Sequence, residues 1–187
     1  MKPSMLTFAG SSRQHSLNKR LAQRASATAQ KLGFKADFID LKDYPMPLYD
    51  GDLEQAQGIP EKARELEALI QNYDVVIIAS PEYNGAFTPL LKNTIDWVSR
   101  IDMAFLKSKT IALMSVTPGG GGGARGLALL RAWLENMRLS VVLETFTLPK
   151  AREAFVEGGL VGEKGAELEQ FVANVGTMAS NKMVEST

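Results

Sequence analysis

Ser11, Ser12, Arg13, His15 and Ser16 fall within six residues, directly after a short apolar run from Met5 to Ala9. The serines offer hydroxyl donors. The arginine offers a planar cationic fork that matches phosphate oxygens. Ser16 sits where an N-cap belongs, so the first-turn N–H groups of Leu17 and Asn18 would point outward with the positive end of the helix dipole. A phosphate satisfies such groups. A plain capped turn with a surface arginine accounts for the same residues, so this loop alone leaves both readings open. The triphosphate-binding pattern G-x-x-x-x-G-K-S/T is absent, and the seat suits a monophosphate better. His15 helps hold the anion, acts as an acid, or is simply solvated. No G-x-S-x-G elbow supports a nucleophilic triad.

Two other loops are unusual. Pro81, Glu82, Tyr83, Asn84 and Gly85 combine an aromatic face, a carboxylate, an amide and the backbone of a tight turn. A flat heteroaromatic ring with hydrogen-bonding edges suits such a surface. Alternatively, Tyr83 caps a sheet and Glu82 is solvated. The third loop, TPGGGGGARG from Thr117, contains Gly119, Gly121 and Ala124 in G-x-G-x-x-A order, with Glu144 near the distance of a ribose-binding acid. This dinucleotide signal is weak, because five successive glycines meet the spacing by default. Glycine there also permits close backbone approach to a flat ring.

The elements that position these loops alternate between strand and helix. Buried-strand patterns lie at residues 5–9, 36–41, 74–79, 110–116 and 140–146. Helical spacing covers residues 16–32 (Leu17, Leu21, Ala25, Thr28, Ala29), 60–72 (Ala63, Leu66, Ile70) and 89–100 (Leu91, Ile95, Val98). It recurs at 124–137 (Leu127, Leu130, Leu134, Met137) and 163–183. Thr88 and Pro89 are a good N-cap and N1 pair. Residues 44–60, with three prolines, read as a long functional or mobile loop. The predicted fold class is α/β: a flavodoxin-like three-layer sandwich with a five-stranded parallel sheet in order 2-1-3-4-5 and helices on both faces. One domain is expected over residues 1–187. In such a sheet ligands bind beyond the carboxyl ends of the strands at the switch in strand order. The three loops follow strands one, three and four, so the topology brings them together there.

Composition removes several alternatives. The 187 residues hold no cysteine and one histidine, which excludes disulfides, thiolate nucleophiles, cysteine-held metal clusters and multi-histidine metal sites. The formal net charge is zero, so no global field draws in nucleic acid or an anionic membrane. No apolar run approaches the roughly 20 residues of a membrane span. Lys2 is followed by too few apolar residues for a secretory leader. The expected location is the cytoplasm.

GSSRQHSLNKRLA, SPEYNGAFTPLLKNTIDWVSR and the glycine-rich turn after the fourth strand together resemble the NADPH-dependent FMN reductase family. This flavodoxin-like group includes bacterial quinone and chromate reductases and azoreductases. The likeness runs from the first strand through the fourth helix. It implies that Ser11, Arg13, Ser16, Leu17 and Asn18 hold the FMN phosphate, and that Pro81, Glu82, Tyr83, Asn84 and Gly85 line the isoalloxazine ring and ribityl chain. It further implies that Ser115, Thr117, Gly119 and Gly120 border the ring. NADPH or NADH is the implied co-substrate and a small molecule the acceptor: quinone, free flavin, chromate or an azo compound. Ping-pong kinetics at one site is expected, with no general acid or base required from the chain. A homodimer or homotetramer is implied, with the helix from Pro89 and residues 44–60 as interface pieces. The five-glycine run is longer than the family pattern, and residues 148–165, with Pro149, Gly158, Gly159 and Gly162, match less distinctly. Two rival classes are a flavodoxin-like electron carrier without reductase activity and a non-flavin nucleotide-binding regulator using the same anion seat. Zero net charge argues against the carrier. Arg100 and Arg125 are candidates for a 2′-phosphate site.

Overall fold

β1 (Met5–Ala9) is buried along its whole length, as an apolar run with both faces covered must be. It leads through residues 10–16 into α1 (Leu17–Lys31), and β2 (Ala36–Ile39) follows. A 3₁₀ turn at Leu41–Asp43 precedes α2 (Gly51–Gln57), α3 (Glu61–Gln71) and β3 (Val75–Ala79). Next come α4 (Pro89–Ser99), α5 (Met103–Ser108), β4 (Thr110–Val116), α6 (Ala124–Asn136) and β5 (Ser140–Leu148). The chain ends with α7 (Ala151–Ala154), β6 (Phe155–Val156), β7 (Gly159–Leu160) and α8 (Glu163–Glu185). The structure is a computed structural model that describes residues 2–156, 159–160 and 162–185. Gly158 lies outside these.

The five-stranded sheet runs β2-β1-β3-β4-β5 with every pairing parallel, the order expected from the sequence. Successive strand residues feed opposite layers. Met5, Val75, Ile77, Ala112 and Met114 pack with α1 and α8 through Leu21, Ala25, Leu168, Phe171 and Val175. Leu6, Phe8, Val76, Ile78, Ile111 and Leu113 pack with α3, α4 and α6 through Leu66, Ile70, Leu91, Ile95, Val98, Leu127, Leu130 and Leu134. Helices start at the carboxyl ends of the strands, so their free N–H groups gather there.

Three expectations need correction. Residues 44–60 are not loop throughout: Asp50 accepts from the Asp52 N–H and caps α2. The segment is also anchored to α4. Pro47 O accepts from the Asn93 amide and the Trp97 indole, each at 2.8 Å, and the Tyr49 ring meets Trp97 edge-on at 5.0 Å. Proline and glycine at its flanks hid a two-turn helix that tertiary contacts hold. β2 stops at Ile39, where Asp40 turns to cap the 3₁₀ turn through Lys42 N–H. β5 extends to Leu148, and α5 and α7 are short helices too brief for periodicity to reveal.

Candidate active site

The loop after β1 caps α1 where its sequence suggests. Ser16 Oγ accepts from the Lys19 N–H and caps α1. The first turn of α1 contains no acidic side chain, and the N–H groups of Leu17 and Asn18 face outward without an intrahelical acceptor. Ser11 is buried, and its Oγ accepts from the Arg13 N–H. Arg13 itself is exposed and makes no ion pair among the described residues. Asn18 has a different task from phosphate binding by its side chain. Its amide Nδ2 donates to Val116 O at 3.0 Å, and its Oδ1 accepts from the Val116 N–H at 3.1 Å. This buried clasp ties the start of α1 to the end of β4, leaving only the Asn18 backbone for an anion.

The loop after β3 is a locked hairpin. Tyr83 and Ala86 exchange backbone hydrogen bonds at 2.8 and 3.0 Å. The two residues between them, Asn84 and Gly85, have φ of +53° and +81°, as a type I′ turn requires. Glu82 is aimed away from bulk solvent at the start of α6. Its Oε1 accepts from Arg125 at 2.9 Å and its Oε2 from the Gly126 N–H at 3.0 Å. The Gly126 N–H bond, reinforced by Arg125, holds the Glu82 carboxyl below its ordinary range. Glu82 therefore joins the second loop to the third.

In the loop after β4, Gly123 has φ +82° and immediately precedes α6. A Cβ there would lie 2.0 Å from Ser115 Oγ, so only glycine fits. Ser115 is fully buried beneath it, and its Oγ has no hydrogen-bond partner among the described residues.

A cleft of about 320 Å³ opens where the three loops meet. Its walls are Ser11, Arg13, Ser16, Leu17, Asn18, Pro81, Glu82, Tyr83 and Thr117, together with His15, Val116, Pro118 and Arg152. Asn84, Gly85, Ser115, Gly119 and Gly120 stand outside this lining: the first two form the turn behind Tyr83, Ser115 lies under the glycine loop, and Gly119 and Gly120 are exposed on it. No local sequence pattern marks Arg152. The usable signal was topological: β5 neighbours β4, so residues after β5 emerge beside the loop after β4. The other arginine candidates are engaged. Arg125 pairs with Glu82, and Arg100 lies 3.7 Å from Glu54 while stacking over Tyr49. Glu144 accepts from Asn174 of α8 rather than facing the cleft.

The sequence pattern of NADPH-dependent FMN reductases matches residues 3–153. The chain belongs to the NADPH-dependent FMN reductase family. The NAD(P)H-dependent FMN reductase of Pseudomonas aeruginosa is 31% identical over 174 residues, 89% of each chain. The quinone reductase of Escherichia coli K12 is 32% identical over 127 residues, or 66% of this chain, and the chain spans 65% of that relative's length. Among solved structures, the flavoenzyme NAD(P)H:(acceptor) oxidoreductase FerB from Paracoccus denitrificans superposes with a TM-score of 0.81 at 27% identity, covering 96% of this chain and 98% of FerB. Among the described residues, no helix is long and apolar enough to cross a membrane and no acidic or histidine cluster suits a metal.

Proposed function

We propose that this member of the FMN reductase family is an FMN-dependent NAD(P)H oxidoreductase serving quinones, free flavin or other small acceptors. One observation carries the reading. Loops after β1, β3 and β4 line a single cleft whose anion end combines Arg13 with the unpaired start of α1. The residues suit FMN. A dianionic phosphate matches a first turn free of acids and an arginine that meets no carboxylate among the described residues. The flat ring matches the walls of Pro81, Tyr83, Val116 and Thr117. A cleft of about 320 Å³ lies at the lower end of the range for cofactor sites.

Bound FMN would supply the redox chemistry, taking hydride from the nicotinamide and passing electrons to the acceptor. The chain binds and orients. Ser11, Ser16, Arg13 and the Leu17 and Asn18 N–H groups hold the phosphate. The Asn18 clasp on Val116 and the Glu82 clasp on Gly126 fix the three loops relative to one another. Asn84, Gly85, Gly119 and Gly120 shape the rim, and Ser115 supports the glycine loop. Tyr83, 44% exposed, stands at the cleft's edge, where a planar substrate enters. The same reading includes a cytoplasmic location and a homodimer or homotetramer built on α4 and residues 44–60, where Leu48 is 79% exposed.

The deciding experiment is a visible spectrum of the purified protein with FMN, followed by anaerobic NADPH and then NADH. Flavin bands that persist through desalting and bleach on addition of either nucleotide are the expected result, with parallel double-reciprocal lines against a quinone. A colourless protein that ignores FMN ends this reading. Bound FMN that neither nucleotide bleaches points to an electron carrier.

A further inference from the structure

Among the described residues, the cleft carries two guanidinium groups and no unpaired carboxylate. Glu82 is the only acid in its lining, and Arg125 and the Gly126 N–H occupy both its oxygens. Arg13 comes from the loop after β1. Arg152 comes from α7, beyond β5. Arg152 is exposed and makes no ion pair among the described residues.

The chain places Arg152 with some care. The Lys150 N–H donates to Gly119 O at 2.9 Å and the Ala151 N–H to Thr117 O at 3.0 Å, fixing the start of α7 to the glycine loop. Lys150 takes φ +50°, an unfavourable backbone for a lysine, to make this turn. At the other end the Phe155 ring lies 4.5 Å from the Arg20 guanidinium on α1. Arg152 sits between these two anchors, on the side of α1 where the helix begins.

Charge matching then separates Arg152 from an ordinary surface arginine. A phosphate monoester carries roughly −1.5 to −2 near neutral pH. Arg13 supplies one positive charge and the start of α1 about one half. The Asn18 side chain is engaged by Val116 and adds nothing. These balance only the less charged end of that range, and a second guanidinium covers the fully ionised dianion.

We propose that Arg152 is a second phosphate-binding residue of this cleft, acting with Arg13 on a phosphate monoester. The inference rests on the FMN reading above. That monoester has two possible sources in this chemistry, the 5′-phosphate of FMN and the 2′-phosphate of NADPH.

Titration of the full chain separates them. Wild type, Arg152→Ala and Arg152→Lys are each titrated calorimetrically with FMN, riboflavin, NADP⁺ and NAD⁺. Arg152→Ala is expected to weaken FMN about 10–100-fold, the scale of a charge-assisted bond, and to leave riboflavin within about twofold. Arg152→Lys should fall between, since an ammonium retains charge without the fork. Unchanged FMN with NADP⁺ selectively weakened against NAD⁺ supports the same residue and assigns it to the 2′-phosphate. No change in any of the four overturns the proposal. Should wild type bind FMN no better than riboflavin, the FMN reading itself fails. Inorganic phosphate is then the probe: weaker binding in Arg152→Ala upholds Arg152, and equal binding overturns it. Matching melting temperatures establish that the variants are folded.

Discussion

Two clefts open at opposite ends of the same sheet, and each has two cations in its walls. At the carboxyl ends of the strands, Arg13 and Arg152 face a space of about 320 Å³. At the amino ends, Lys109 and Lys182 face another of about 320 Å³, beside Asp74, Ser108 and Thr110. Their cations meet different partners. Lys182 Nζ donates to the carbonyls of Lys107, Ser108 and Lys109 at 3.4, 3.0 and 3.1 Å. Lys109 Nζ donates to Gln71 O at 3.1 Å. These carbonyls belong to the last turns of α5 and α3. Burial pulls both lysines below their ordinary value. In parallel β-α units every helix presents carbonyls at the amino end of the sheet and N–H groups at the carboxyl end. A cation at the first end is consumed as a helix cap. A cation at the second end finds N–H groups of its own sign and, unless a carboxylate takes it as Glu82 takes Arg125, stays available to an anion. Charge count and cleft size do not distinguish the two; helix polarity does.

The largest expected effect lies at the carboxyl end. Arg13→Ala should weaken FMN binding by about 1.5–3 kcal/mol, with riboflavin affinity and the melting curve unchanged. Equal losses for FMN and riboflavin would move Arg13 off the phosphate and undo the contrast between the clefts. The opposite signature is expected for Lys182→Met. It should cost about 1–2 kcal/mol of folding stability by leaving helix-end carbonyls without their donor, and FMN affinity should hold. Urea unfolding and flavin titration of the same sample measure both quantities; a change in FMN affinity would show that the amino-end cleft is coupled to the site.

The smallest expected effect belongs to Glu82→Gln, about 1 kcal/mol. Its pH dependence is the sharper readout. The folded Glu82 carboxyl titrates below its ordinary value of 4.5. Its stabilisation is therefore present above about pH 4.5 and is lost as pH falls through the lowered folded value. Stability measured between about pH 6 and 3 should consequently fall less steeply in Glu82→Gln than in wild type. Identical slopes would mean that the clasp to Gly126 contributes no charge-dependent stability.

Much of the candidate site was legible because its chemistry is local. The serine and arginine run after an apolar strand, the N-cap at Ser16 and the Asn84–Gly85 turn each follow from a few adjacent residues and backbone rules. Asn18 and Glu82 lie in or beside loops that the sequence marks as unusual, but their side-chain partners do not follow from it. Val116 is 98 positions from Asn18 and Gly126 is 44 from Glu82. Either side chain, read alone, looks equally suited to a ligand.

The alternation of buried strands and amphipathic helices determined the α/β class and the sheet order, because period and handedness leave few topologies for such a chain. It also determined that the loops after β1, β3 and β4 meet, since that follows from the order alone. Which polar groups remain open follows instead from how distant segments pack. Arg125 and Arg100 found carboxylates, Lys109 and Lys182 found helix ends, and Arg13 and Arg152 found neither among the described residues. Residue type establishes what a side chain is able to bind, whereas the packing of distant segments determines whether that capacity is already taken.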